Sequence, residues 1–407
     1  MEDKDRMTIC RKIKICPVGD KEEISRVYDF IRNGQYTQYL ACNLLMGQLV
    51  SEYYKYNRDI KNEDFKARQK EIMRGSNPLF DDIEFSTGID TKSIVTQKVR
   101  LDFATALKNG LAKGERTVTN YKRTNPLLTN GRNLKFYYDY ASYQEFLDKI
   151  NDTDFKVYIK WVNKIKFKVI CGNPHKSQEL RSVVKNIFEE NYKVQGSSIE
   201  IDGKSIILNL CISIPKKQIK ELDENTVVGV DLGFTTVCAL NNSYRSLIIG
   251  DGDKNDLLRV RVKLQEQRKR LQKSLIFTSG GHGRRKKLRA LERLKKSEKN
   301  FARTYCHVVS KKIVDFALKN KAKYINFENS EISEQNDLVL KNLSRADIQK
   351  YTIYKAEKYG IIVRIVKPVH SSELEHEVSD CDSDTDAEYK VHKSIARNVS
   401  KSTCYEN

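Results

Sequence analysis

Residues 7–17 alternate apolar and basic side chains, a period of two that predicts a strand with one buried face. From residue 21 to 56 the period lengthens, with Ile24, Val27, Tyr28 and Ile31 on one helical face. More helix is predicted over 62–74 and 94–111. Between 134 and 214 short β patterns take over, at 135–140, 154–170, 198–201 and 204–214, interrupted by one helix at 177–191. A strand, a helical stretch, then more strands predicts a small β-barrel or sandwich carrying a helical subdomain. Polar residues 216–225 (KKQIKELDEN) read as a linker into a second domain. Beyond it come strands at 227–230, 236–240 and 245–249, then long basic helices at 256–273 and 284–319. A strand at 324–327, a helix at 347–359, a strand at 361–366 and a helix at 387–399 complete the series. That order predicts a mixed sheet with helices on its faces.

The 407 residues suit two or three domains. The longest apolar run, 206–214, is too short to cross a bilayer and contains Asn209 and Ser213. The first residues lack the apolar core of a signal peptide. Nine scattered cysteines with no CxxC pair read as reduced thiols in a cytosolic protein. Trp161 is expected in the core. Tyr121 and Tyr137 are candidates either for packing or for stacking on bases.

Charge sharpens the picture. The chain carries 74 Lys+Arg against 54 Asp+Glu, a net +20. Residues 259–323 hold 22 Lys/Arg and 4 Asp/Glu, an excess of +18, whereas 373–388 hold 8 acids and no base. A long run of one sign points to a polyanionic partner. Arg268, Arg270, Arg284, Arg285, Lys286, Lys287 and Arg293 are the candidate contacts. Gly281, within Ser279-Gly-Gly-His-Gly283, is expected in a flexible loop that lets backbone approach the partner. His282 reads as a contact there.

Asp231 stands where one apolar strand stops and Glu328 where another does. Acids at strand ends meet at one edge of a sheet, over a shared crevice. Gly229 and Gly233 flank the first with minimal bulk, leaving room for a phosphate backbone. Two or three such carboxylates can hold paired Mg²⁺ about 3.5–4 Å apart for phosphodiester hydrolysis.

Val227-Val-Gly-Val-Asp-Leu-Gly233 resembles the first RuvC-like motif of TnpB proteins and miniature type V-F CRISPR effectors. Gly280-Gly-His-Gly-Arg284 before a basic helix is similar to the segment they carry between motifs one and two. Tyr324-Ile-Asn-Phe-Glu-Asn329 is similar to their second motif. Tyr354-Lys-Ala-Glu357 and Gly360-Ile-Ile-Val363 resemble the helix and strand that follow. The resemblance covers 226 to about 399, and the N-terminal half matches in layout. It implies an α/β RuvC-like (RNase H) domain over 221–407 and a wedge-like β-barrel over 1–20 and 116–220. That barrel would carry a helical recognition insert at 21–115. It also implies a bound guide RNA, a DNA target read by base pairing, Mg²⁺ on Asp231, Glu328 and Glu388, and a cytoplasmic, nucleoid-associated protein. The type V-F relatives often pair two copies around one guide, whereas TnpB acts alone, and a homodimer and a monomer both remain open.

Two departures matter. Relatives begin a four-Cys zinc ribbon with Thr-Ser-x-x-Cys-x-x-Cys, where this chain has Ser371-Ser-Glu-Leu-Glu-His-Glu-Val378. His370, His376 and Cys381 are too scattered to replace it, so no zinc is expected. The third motif, Ala-Asp-Tyr-Asn-Ala-Ala in relatives, here reads Ala387-Glu-Tyr-Lys-Val-His392. Glu388 replaces the aspartate, moving the carboxylate by more than a bond length, and Lys390 adds a positive charge. Asp386 is turned roughly 200° away around a helix. The readings are a guided endonuclease of attenuated activity, a guided DNA-binding regulator that does not cut, and a transposon accessory protein binding nucleic acid without a guide.

Overall fold

A computed structural model describes residues 5–81, 83, 91–217, 221–232, 236–250, 257–278, 280–328, 345–366 and 384–401. The side chains of 91, 257, 258 and 384–392 lie outside that description. The chain divides into two units, Met1–Pro215 and Lys216–Asn407.

The first unit opens with β1 (Arg6–Pro17), α1 (Lys21–Lys55), α2 (Glu63–Ile72) and α3 (Thr91–Lys108). It continues with β2 (Leu127–Thr129), β3 (Lys135–Tyr138), α4 (Tyr143–Lys149), β4 (Val157–Lys160) and β5 (Lys166–Val169). It closes with α5 (Gln178–Phe188), β6 (Lys193–Val194), β7 (Ser197–Asp202) and β8 (Ser205–Pro215). Strand pairing is antiparallel, in the order β2-β7-β8-β1-β5-β4-β3, with β6 on β8. The start of α1 is set by a capping box: Asp20 accepts from Glu23 N at 2.7 Å, and Asp20 N donates to Glu23 Oε2 at 3.0 Å. Leu45, Leu49 and Tyr53 of α1 pack with Phe65 and with Val95, Val99 and Phe103 of α3.

The single β pattern at 154–170 proves to be a hairpin. Asn163 and Lys164 take φ of 51° and 61°, which turns the chain back so that Ile159 faces Phe167. The short α4 and β2 were not expected, being too brief to develop a period. Trp161 is buried and donates from Nε1 to Thr129 Oγ1 at 2.9 Å, as the core reading anticipated. Tyr121 is buried with its hydroxyl donating to Asp102 at 2.8 Å, and Tyr137 stacks on Tyr158 across β3–β4 at 5.4 Å. Both tyrosines are thus engaged in packing.

The second unit contains β9 (Asp223–Leu232), β10 (Thr236–Leu240), β11 (Ser246–Ile249), α6 (Leu257–Ile276) and α7 (Gly281–Lys319). It ends with β12 (Ala322–Glu328), α8 (Arg345–Glu357), β13 (Ile362–Val366) and α9 (Asp384–Lys401). The stretch read as a linker is partly built into this unit. Lys217 N donates to Lys358 O at 2.7 Å, and β9 already starts at Asp223. The sheet order is β11-β10-β9-β12-β13, with β9, β12 and β13 parallel and β10 antiparallel to both of its neighbours, β9 and β11. Parallel neighbours need a crossover, supplied by α8 between β12 and β13.

The two faces of this sheet differ. Val228, Val230, Leu232, Cys238, Leu240, Ile325 and Phe327 form one core with Val309, Ile313 and Ala317 of α7 and Ile348 and Ala356 of α8. On the opposite face Ala396 of α9 packs with Val237 and Ala239.

Candidate functional site

Strand register brings two acids together. β12 lies beside β9 with Asn326 opposite Gly229 and Phe327 opposite Val230. One residue further on, Asp231 and Glu328 stand side by side on strands spaced roughly 4.8 Å apart. Alternation fixes their face. Val228, Val230, Leu232, Ile325 and Phe327 enter the core on the α7 side, so Gly229, Asp231, Asn326 and Glu328 point to the α9 side. Asp231 is 8% exposed and Glu328 half-buried. The field of Asp231 reaches through the sheet: burial, and then this negative charge, push the Cys238 thiol far above its ordinary value.

The α9 helix is held onto this face by contacts that motif reading overlooked. Asn326 Nδ2 donates to Val399 O at 3.1 Å in a buried hydrogen bond. Gly229 lies against the α9 backbone at Ala396 and Ser400, where a Cβ would collide. Gly229 therefore makes room for a helix, and the expectation that it makes room for a phosphate backbone is corrected. Gly233 lies outside the described residues. The signal for Asn326 was a lone amide within the apolar strand Tyr324-Ile-Asn-Phe-Glu328.

Glu388 sits on α9 two turns before Ala396, with its side chain outside the described residues, as are those of Asp386 and Lys390. His370, His376 and Cys381 also lie outside them. Among the described residues no group of three His, Cys, Asp or Glu gathers as a metal site. Asp231 and Glu328 are adjacent hard-oxygen donors, the chemistry that suits Mg²⁺.

The basic segment is an antiparallel helical hairpin. Arg268 on α6 meets Glu298 on α7 at 2.6 Å, tying the two arms. Arg270, Arg285, Lys286 and Arg293 are exposed along it. Arg284 and Lys287 instead close the tip. Arg284 Nη1 donates to the carbonyls of Leu275 and Thr278 at 3.3 and 2.9 Å, and Lys287 Nζ donates to Ser274 O at 3.0 Å and Thr278 Oγ1 at 2.7 Å. They add donors to carbonyls in the last turn of α6 and at Thr278 just beyond it. Gly281, at φ +71°, is the first residue of α7, and His282 is exposed beside it. The flexible loop expected over 279–283 is therefore mostly helix, begun by glycines that accept a positive φ. No helix among the described residues is long and apolar enough to cross a membrane.

No protein-family model matches the chain. Three curated relatives are similar in sequence, each called CRISPR-associated endodeoxyribonuclease Cas12f1. That of an uncultured archaeon is 29% identical over 203 residues, covering 48% of this chain and 38% of the relative. That of Sulfoacidibacillus thermotolerans is 27% identical over 296 residues, covering 71% and 68%. That of Syntrophomonas palmitatica is 33% identical over 164 residues, covering 37% and 31%. The chain thus matches about a third of the length of two of these relatives and two thirds of the other. A cryo-EM structure of a Cas12f1–sgRNA–target DNA complex shares the fold, with a TM-score of 0.64 at 16% identity over 96% of this chain and 99% of that one. The chain is thus similar in sequence to Cas12f1 proteins, which are miniature type V-F CRISPR effectors, and similar in fold to a Cas12f1 chain.

Proposed function

We propose that this chain is an RNA-guided DNA-targeting nuclease, with guide RNA and target DNA as its partners. In this reading residues 221–407 form a RuvC-like (RNase H) nuclease domain. A wedge-like barrel, 1–20 and 116–220, carries the helical recognition insert at 21–115. The observation that supports it most is the strand register that carries Asp231 and Glu328 one residue past the Val230–Phe327 pair, on the face that α9 covers. Asp231, Glu328 and Glu388 would hold Mg²⁺. When bound, the metal neutralises charge on the phosphodiester and lowers the pKa of an attacking water. The chain's own part is positional. Neighbouring strands set the spacing of two carboxylates, and Asn326 anchors the helix that bears the third. The exposed cations of α6 and α7 neutralise backbone phosphates, while base pairing with the guide reads sequence.

A second reading, guided binding without cutting, draws on Lys390, which puts a positive charge two residues after Glu388. The deciding experiment is to purify the protein with its RNA and offer matched duplex DNA with Mg²⁺. Cutting that Asp231→Ala abolishes supports the nuclease. Guide-dependent binding that the same substitution leaves unchanged, with no cutting, supports the binder. Recovery of no discrete RNA overturns both. The mass of the RNA-bound particle distinguishes one copy from two.

A further inference from the structure

The outermost point of the α6–α7 hairpin is apolar. Ile276, the last residue of α6, is 78% exposed, and Phe277, just after it, is 88% exposed. The first buried residue of α7 is Cys306, 25 positions after Gly281, so the tip stands roughly 38 Å along the helix from the core. The tip is also braced. Thr278 N donates to Leu275 O at 3.2 Å and Thr278 Oγ1 to Ser274 O at 2.8 Å, beside the Arg284 and Lys287 bonds described above. Four side-chain and backbone donors thereby fix the turn that presents Phe277 outward.

The surrounding charge says what meets it. Between Glu266 and Glu292 the sequence contains nine Lys/Arg and no acid. An exposed aromatic ring within a purely cationic shell suits a partner that combines phosphates with flat π faces. A paired duplex keeps its bases stacked inside, whereas RNA loops and bulges splay bases outward where a ring can stack on them. We propose that Phe277, flanked by Ile276, stacks on an unpaired base of the bound RNA while the cations along the hairpin hold the adjoining phosphates. This rests on the nucleic-acid reading above and adds to it a residue and the structural class of its ligand.

The test uses the full chain and two RNA probes. One is a stem-loop with a 2-aminopurine in its loop, and the other is the same stem as a blunt duplex. The wild type is expected to bind the stem-loop about tenfold more tightly than the duplex and to quench the fluorophore. Phe277→Ala should lose that preference and the quenching, leaving duplex affinity and its salt slope unchanged, while Phe277→Trp keeps both. Equal weakening on both probes, or no change on either, overturns the proposal. So does an equal preference for a DNA loop of the same sequence. A change in oligomeric state of Phe277→Ala without nucleic acid would assign the tip to a protein contact instead. If the wild type binds neither probe, the nucleic-acid reading itself has failed, a result distinct from loss of the loop preference alone.

Discussion

Gly229 of β9 lies directly against the Ala396 turn of α9, and the helix backbone fills the space that a side chain at 229 would need. The close approach seats the helix bearing the third candidate acid on the strand bearing the first. Gly229→Ala should therefore force helix and sheet apart, costing about 1–3 kcal/mol or more as overpacking. Gly47, in α1 with open space around its Cβ, is the control, and Gly47→Ala should stabilise by about 0.5–1 kcal/mol. Chemical denaturation of the two variants checks the contrast.

Asn326 should matter beyond its size. Asn326→Leu removes the donor to Val399 O and strands a buried carbonyl, a loss of about 1–3 kcal/mol. Hydrogen exchange should quicken in α9 near residues 396–401 and stay unchanged in α1–α3.

The third motif gives a test by repair. Glu388→Asp with Lys390→Asn shortens the carboxylate and removes the extra charge, and is expected to raise Mg²⁺-dependent cleavage by up to about 100-fold, because misplacement on the order of 1 Å carries that cost. Asp231→Ala should abolish cleavage in both backgrounds. A plasmid-cutting time course reads the outcome.

The cations of the hairpin should separate into two groups. Lys286→Ala or Arg293→Ala should lower RNA affinity and reduce the slope of log K against log salt by about 0.7–0.9 for each phosphate left unneutralised, without changing stability. Arg284→Ala or Lys287→Ala should in addition loosen the tip, because their nitrogens bond Thr278 and the last carbonyls of α6. Hydrogen exchange at 274–280 distinguishes the groups.

Thiol chemistry reports on the folded units. Burial raises the Cys42 thiol to about 12, with Lys98 partly opposing, and raises Cys306 to about 11, with Asp347 adding to it. Both stay protonated and protected at pH 8, while exposed Cys10 and Cys16 should be alkylated first. The folded values lie above the ordinary 9.0, so the unfolded chain ionises first and stability falls as pH rises past about 9 toward about 12. Adduct mapping by mass spectrometry and alkaline melting curves check these outcomes.

Much of this molecule was legible in the sequence because the relevant physics is local or additive. A period-two run marked β1, short apolar runs marked β8 and β9, a helical period marked α1, and summed charge over 259–323 pointed to a polyanionic partner without any fold. The positions of Asp231 and Glu328 on apolar strands were equally readable. That they would meet at one sheet edge was expected from their strand-end positions, but their register was not, since it depends on β9 and β12 pairing across some hundred residues, a long-range event that leaves no local period. The same holds for Gly229 yielding to α9, Asn326 anchoring it, and Arg284 and Lys287 bracing the tip beneath Phe277. In each case residue type declares what a side chain can do, and tertiary packing, through sterics and hydrogen-bond geometry, decides which of those things it does.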